Sequence, residues 1–225
     1  GGEGVASSAV SSSAAASITP VARSMVPRPL LSGRAGLVVI FDIETTGLPK
    51  GDNFDNARIV QMCCVLCCRS TLEERERVSV IIKTDGFPVL LSKLHGITEE
   101  ISLRDGELFE AAATRVGALF SQASAVIAHN VQFDTSVFQS ELSRYGMLDL
   151  LTTVQDMQAI CSMKTTTKLC DLKNKVGKPK PPKLNELYLH ATGKQMQNHH
   201  NAIYDVLNLR EALQALLVKG DVDLE

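Results

Sequence analysis

Apolar positions form continuous runs in the first part of the chain and recur at helical spacing further on. Leu37 to Phe41 (LVVIF) is uninterrupted and mostly β-branched, which predicts a buried central strand. Ile59 to Cys68 (IVQMCCVLCC) and Val78 to Lys83 predict a second and a third strand, separated by the charged link TLEERER. After FPVLLSKLHGIT the period changes. Leu108, Ala112, Val116, Leu119 and Phe120 fall along one side of a helix from about Glu107 to Gln122. Ala125 to Ala128 (AVIA) predicts a short buried strand, and Asn130 is placed to cap a helix running to about Tyr145. Leu184 to Ala191 and Asn201 to Val218 predict two more helices, the last offering Ile203, Val206, Leu207, Leu209, Leu213 and Leu216 to a core. A strand meander followed by strands alternating with helices predicts a three-layer α/β fold with helices flanking a central sheet.

Two stretches fall outside this pattern. Residues 1–36 are Ala/Ser-rich, carry Pro20, Pro27 and Pro29, and cannot build a core, which predicts a disordered tail ahead of one domain spanning residues 37–220. No acid occurs between Glu3 and Asp42, and a Ser-rich, Arg-bearing, acid-poor segment is also the composition of an organelle transit peptide. A targeting segment is therefore a second reading of the tail. Met163 to Lys183 holds seven lysines against one acid, together with Pro179, Pro181 and Pro182, and predicts an exposed loop. A solvated insertion and a phosphate-contacting flap both fit that composition.

Charge and cysteine usage narrow the classes. The formal charge of −2 over 225 residues excludes a basic nucleic-acid coat, and no apolar run approaches the length that spans a bilayer. Residues 1–36 sum to +2, so the remainder carries −4, as a domain with uncompensated carboxylates would and as any acidic surface would. Cys64 and Cys67 have the C-x-x-C spacing of zinc and redox sites. They lie inside a strand-like run, where side chains alternate between faces, so buried reduced thiols are the expectation. Reduced thiols point to an intracellular compartment, whether nucleus, cytoplasm or, with a transit peptide, an organelle.

The chemistry concentrates after the first strand. In FDIETTGLP, Asp42 and Glu44 are two apart on a strand, hence on one face and roughly 6 to 7 Å apart, where they repel unless cations lie between them. Two further acids stand in suggestive contexts. Asp134 sits about one turn into the helix after AVIA, and Asp205 lies in the first turns of the last helix with His200 five residues before it. Each alone is explained by the preference of acids for helix N-termini.

Taken together, FDIETTGLP, HNVQFD (129–134) and HNAIYD (200–205) resemble, in order and spacing, the three motifs of the DnaQ-like 3′-to-5′ exonucleases of the DEDDh type, within the RNase H-like superfamily. LHGIT (94–98) matches an element of their proofreading branch, and the resemblance covers about residues 37–218. His200, five before Asp205, fits the histidine type. The tyrosine type needs Tyr at position 201, where this chain has Asn, and His199 is at the wrong distance.

The resemblance implies a mixed-sheet RNase H-like fold and a metal-dependent exonuclease that releases nucleoside 5′-monophosphates from single-stranded 3′ ends, DNA slightly favoured over RNA. Two divalent ions, Mg²⁺ or Mn²⁺, are implied, held by Asp42, Glu44, Asp134 and Asp205, with His200 accepting the proton of the attacking water. Thr45, Leu48, His95, Asn130 and Phe133 are the implied substrate contacts, and a polymerase is an implied partner. The motifs leave oligomeric state open. A catalytically inactive nucleic-acid-binding or scaffold module of the same fold is the alternative, and an RNase H-type endonuclease is disfavoured because HNVQFD and HNAIYD are not expected of one.

Overall fold

The computed structural model describes residues 36–51, 53–84, 86–198 and 200–224. The expected tail, apart from Gly36, and His199 lie outside the described residues. Five strands, β1 (Leu37–Thr45), β2 (Ile59–Cys68), β3 (Glu74–Ile81), β4 (Ala125–Ala128) and β5 (Gln158–Cys161), form one sheet in the order β3-β2-β1-β4-β5. β1, β2 and β3 are antiparallel neighbours, whereas β1, β4 and β5 run parallel, so the sheet is mixed. The helices are α1 (Ser92–His95), α2 (Glu99–Asp105), α3 (Phe109–Phe120), α4 (Val131–Arg144), α5 (Leu148–Gln155), α6 (Ser162–Thr165), α7 (Thr167–Cys170), α8 (Leu184–Thr192) and α9 (Ala202–Lys219).

The continuous apolar run of β1 follows from its central place, buried on both faces. Val39, Phe41 and Ile43 point into one core with α3 and α4, where Phe41 packs edge-on to Phe120 at 5.3 Å and against Phe138 at 5.2 Å. Val38 and Ile40 point into the other core with α8 and α9. Strand alternation thus sends Asp42 and Glu44 to the α9 face. The cysteines obey the same rule. Cys64 lies in the first core, Cys63 and Cys67 in the second, so the C-x-x-C pair sits on opposite faces of β2 and cannot share a ligand. Burial pushes Cys63 and Cys67 up to about 12, as expected of inert thiols, while hydrogen bonds around Ser70 and Thr71 lower Cys68, at the strand end, to about 7.

Several sequence-based assignments differ from the structure. β3 begins four residues earlier than expected, because Leu72, buried with φ 53, closes a tight turn and Glu74 to Arg77 then pair along β2. As a sheet edge, β3 carries charges at little cost. β5 and α5 had no counterpart in the reading. Leu108 is 62% exposed and precedes α3, while Phe109 takes the buried place. On α9, Ala202 and Ala212 supply core positions, and Ile203 and Leu207 are half-buried. Asn130 adopts a left-handed conformation (φ 78) ahead of α4 and makes no side-chain cap. The lysine-rich segment is largely exposed, but it contains α6, α7 and a small hairpin in which Lys173 bridges Pro179.

Candidate active site

β1 ends on its acids for a local reason. Between Glu44 and Thr45 the pairing with β2 skips a residue, Glu44 opposing Gln61 and Thr45 opposing Ile59, and this bulge terminates the ladder just past the carboxylates. Beyond it, Thr46 N–H donates to the Arg58 carbonyl at 2.7 Å and Leu90 N–H to the Thr46 carbonyl at 2.9 Å. That second bond brings the segment bearing α1, and hence His95, beside Thr45.

The third acid arrives on α9. Its first turn is fixed by Gln61, a buried polar residue in the otherwise apolar β2, whose side-chain oxygen accepts from Ala202 N–H at 3.0 Å and whose amide donates to the Asn201 side chain at 3.4 Å. One carboxylate oxygen each from Asp42, Glu44 and Asp205 then lie within 4.8 Å of one another. Asp134 approaches from α4 on the far side of β1. It is buried, and its carboxylate accepts from Ile43 N–H at 3.3 Å, so part of its function is to tie α4 to β1. Asp134 nevertheless raises the Asp42 carboxyl by charge repulsion.

The electrostatics of the cluster are one-sided. Burial first, then Asp134, Asp205 and Glu44, hold Asp42 well above the usual carboxylate range. Burial and Asp205 push Glu44 up to about 7. Asp134 is also raised, by burial foremost, against the pull of its backbone hydrogen bonds. Among the described residues, every neighbour that shifts Asp42 or Glu44 is a carboxylate that raises it. An all-oxygen set of converging, mutually repelling carboxylates fits a hard divalent cation. An ion with Mg²⁺-type bonds of ~2.1 Å spans ligand oxygens up to ~4.2 Å apart, a small side-chain adjustment from the spacing seen.

His200 joins the same place. It is exposed, has φ 58, and lines with Asp42 and Asp205 a cleft of about 670 Å³. A positive φ on a non-glycine residue at a cleft marks a backbone held by its surroundings. His95 is buried. Its Nδ1 accepts from Ile97 N–H at 3.2 Å, leaving Nε2 to carry the proton, and burial followed by the nearby His200 lowers its pKa against the pull of the Thr45 carbonyl. Of the other expected contacts, Thr45 is buried with its hydroxyl donating to the Gly47 carbonyl at 2.8 Å, Leu48 is 71% exposed, Phe133 is half-buried against the core, and Asn130 is exposed at the start of α4.

The reading of the sequence missed two residues. Gln61 was visible as a lone amide in an apolar strand. His129, within HNVQFD, received no role, yet its ring contacts Ser162 Oγ at 3.0 Å through Nδ1 and the Pro182 carbonyl at 3.0 Å through Nε2.

Comparison with known proteins agrees with this geometry. A family model described as Exonuclease matches residues 39–213. No curated protein matches the chain significantly. Among solved structures, the fold resembles Escherichia coli Exonuclease I in complex with a dT13 oligonucleotide, with 19% identity and a TM-score of 0.65 over 80% of this chain and 41% of that one. The same enzyme in complex with a dA16 oligonucleotide gives 20%, 0.67, 81% and 41%. A moderately thermophilic Exonuclease I from Methylocaldum szegediense gives 20%, 0.64, 80% and 40%. The chain thus spans about two fifths of the length of these structures. With a mixed five-stranded sheet between helical layers, acids converging from both ends of the sequence, and a family match over most of its length, this chain belongs to the exonuclease family, as a DEDDh-type, DnaQ-like member of the RNase H-like superfamily.

Proposed function

We propose that the chain is a metal-dependent 3′-to-5′ exonuclease that hydrolyses single-stranded nucleic acid from its 3′ end, DNA slightly favoured over RNA, and releases nucleoside 5′-monophosphates. One observation carries the reading: Asp42, Glu44 and Asp205, drawn from positions 163 residues apart, bring oxygens within 4.8 Å beside His200 in an open cleft. Among the solved neighbours, Exonuclease I is bound to a dT13 and to a dA16 oligonucleotide, which supports the choice of substrate class.

Divalent cations, when bound, supply positive charge against the phosphate and lower the pKa of water. Asp42, Glu44 and Asp205 would hold them, with Asp134 supporting from the opposite side of β1, and two ions is the number the family resemblance implies. His200, exposed at the cleft, accepts the proton of the attacking water, the role an imidazole side chain is suited to. Thr45, Leu48, His95, Asn130 and Phe133 form the flank that holds the terminal nucleotide. Contacts of this kind, apolar and directed at base faces or backbone, favour little sequence preference.

The test uses 5′-labelled DNA and RNA oligonucleotides with Mg²⁺ or Mn²⁺, and with EDTA. Stepwise shortening that EDTA abolishes and that stops in Asp205→Asn is the expected result. Tight binding with no shortening of either polymer would instead make the protein an inactive binding module.

A further inference from the structure

We propose that the cleft between the carboxylates and the lysine-rich segment 163–183 receives the strand on the 5′ side of the bond to be cleaved, with Lys183 contacting its backbone phosphate and His129 acting as the positioning residue that fastens the segment in place. The proposal rests on the exonuclease reading and extends it to the part of the substrate that stays bound after each cut.

The geometry argues for a strand path. A strand whose terminal nucleotide occupies the flank formed by Thr45, Leu48 and Phe133 places its scissile phosphate over the carboxylates and must leave on their other side. Next to the carboxylates, and lined by none of those flank residues, lies the cleft of about 670 Å³, with Asp42, His200 and Asp205 at one wall and Met163, Pro182, Lys183 and Met196 around the rest. The volume is that of sites enclosing small ligands, enough for a short piece of single strand. Its chemistry suits one. Thioether and pyrrolidine groups offer apolar contact to any base, and an ammonium group opposes phosphate charge.

Among the lysines here, Lys173 pairs with Asp171 at 2.5 Å and Lys180 with Glu186 at 2.6 Å. Lys183, exposed, lines the cleft; its backbone N–H donates to Glu186 at 2.7 Å, and its charge, after that of Lys180, helps lower the Glu186 pKa. Among the described residues it is the lysine that borders the cleft, so its ammonium group is the one within reach of an occupant's phosphate.

One ring reaches both ends of the segment. His129 follows directly on β4 and meets Ser162 at one end of the lysine-rich stretch and the Pro182 carbonyl at the other, both at 3.0 Å, while the Ser162 hydroxyl also reaches the Ala128 carbonyl at 3.2 Å. Both ends of the segment are thereby tied to the strand that leads into Asp134. Burial lowers the His129 pKa and the Pro182 carbonyl opposes that, consistent with a neutral ring donating from Nε2.

The experiment measures KM and kcat for oligonucleotides of two to twelve residues, with the salt dependence of binding. Lys183→Glu is expected to raise KM for the 12-mer at least tenfold and to reduce the salt slope by about one. kcat should stay within twofold, and the KM effect should shrink as the substrate is shortened to a dinucleotide, which lacks the upstream phosphate. Lys194→Glu, the same charge change past the far end of α8, is the control. His129→Ala should reproduce the length-dependent KM rise, and His129→Gln, which keeps a donor for Pro182, should restore much of it. An unchanged KM in Lys183→Glu, or an equal rise at every length, overturns the strand path even if His129→Ala fails to fold. A wild-type protein that shortens no oligonucleotide would instead remove the exonuclease reading on which the path depends.

Discussion

At the scale of residues, the decisive feature is a contradiction that only function resolves. A chain folding for stability alone would not bury Asp42 and Glu44 beside Asp205, because each raises the cost of ionising the others. His200 differs from these acids in being exposed and outside any helix or strand, so its replacement should disturb chemistry more than folding. In His200→Ala we expect kcat to fall by about 10² or more with the affinity for Mn²⁺ and for substrate retained. Undiminished turnover in that variant would take His200 out of the proton transfer. Leu48 presents the opposite case, an apolar side chain kept in water at 71% exposure with no packing reason. Leu48→Ala should raise KM severalfold and leave the melting temperature within about 1 °C, a pairing of results that steady-state kinetics and thermal denaturation read together.

At the scale of elements, the acids are only as well placed as the junctions that carry them. Gln61 joins β2 to the first turn of α9, and Gln61→Leu would leave the Ala202 amide buried without its partner, at a cost of about 1–3 kcal/mol. The expected signature is a lower melting temperature together with weakened metal binding in a Mn²⁺ titration, since Asp205 sits one turn beyond the lost bond. A loss of stability with metal affinity intact would limit Gln61 to packing. Gly106 is a second junction. An added Cβ there would lie 2.2 Å from the Ser102 carbonyl oxygen and 2.6 Å from Lys83 N, both backbone atoms, where β3 continues into the bridge between Ile82 and Glu107. Gly106→Ala should therefore destabilise by about 1–3 kcal/mol, visible as an earlier midpoint in urea.

These same elements show what was legible beforehand. β1, β2, β4, α3, α4, α8 and α9 were readable because each buries a face and so imposes a period on its own residues. Four-residue β5, on the sheet edge and partly exposed, imposes none. The charged start of β3 read as a link because an edge strand tolerates what a central one excludes. The carboxylate trio was found through motif spacing, whereas Gln61 and His129, though visible as a lone amide in an apolar strand and a motif histidine, take their roles from partners 141 and 53 positions away that local sequence does not name.

At the scale of the whole molecule, the clustered charge links folding, protons and metal. Glu44 titrates near 7 in the folded chain and near 4.5 when unperturbed, so between those values the metal-free folded state holds a proton that the unfolded state has released. Stability of the metal-free protein should accordingly rise as pH falls from about 7 towards 4.5 and be least above about 7, a penalty on the order of 3 kcal/mol from Glu44 alone. Asp42 and Asp134, raised in the same direction, add to it. A divalent cation binds the ionised carboxylates of the folded state and reverses the trend, contributing about 2.7 kcal/mol at a hundredfold excess over its dissociation constant. In EDTA the melting temperature should therefore be higher at pH 5.5 than at pH 8, and the gain from Mg²⁺ or Mn²⁺ should be several degrees at pH 8 and shrink towards pH 5.5. Asp42→Asn, which removes the central charge, should raise the melting temperature in EDTA at pH 8 and abolish most of the metal's effect. A metal gain equal at both pH values, or an Asp42→Asn variant less stable than the parent in EDTA at pH 8, would mean that the carboxylates are balanced within the protein, and the cluster would no longer require a cation.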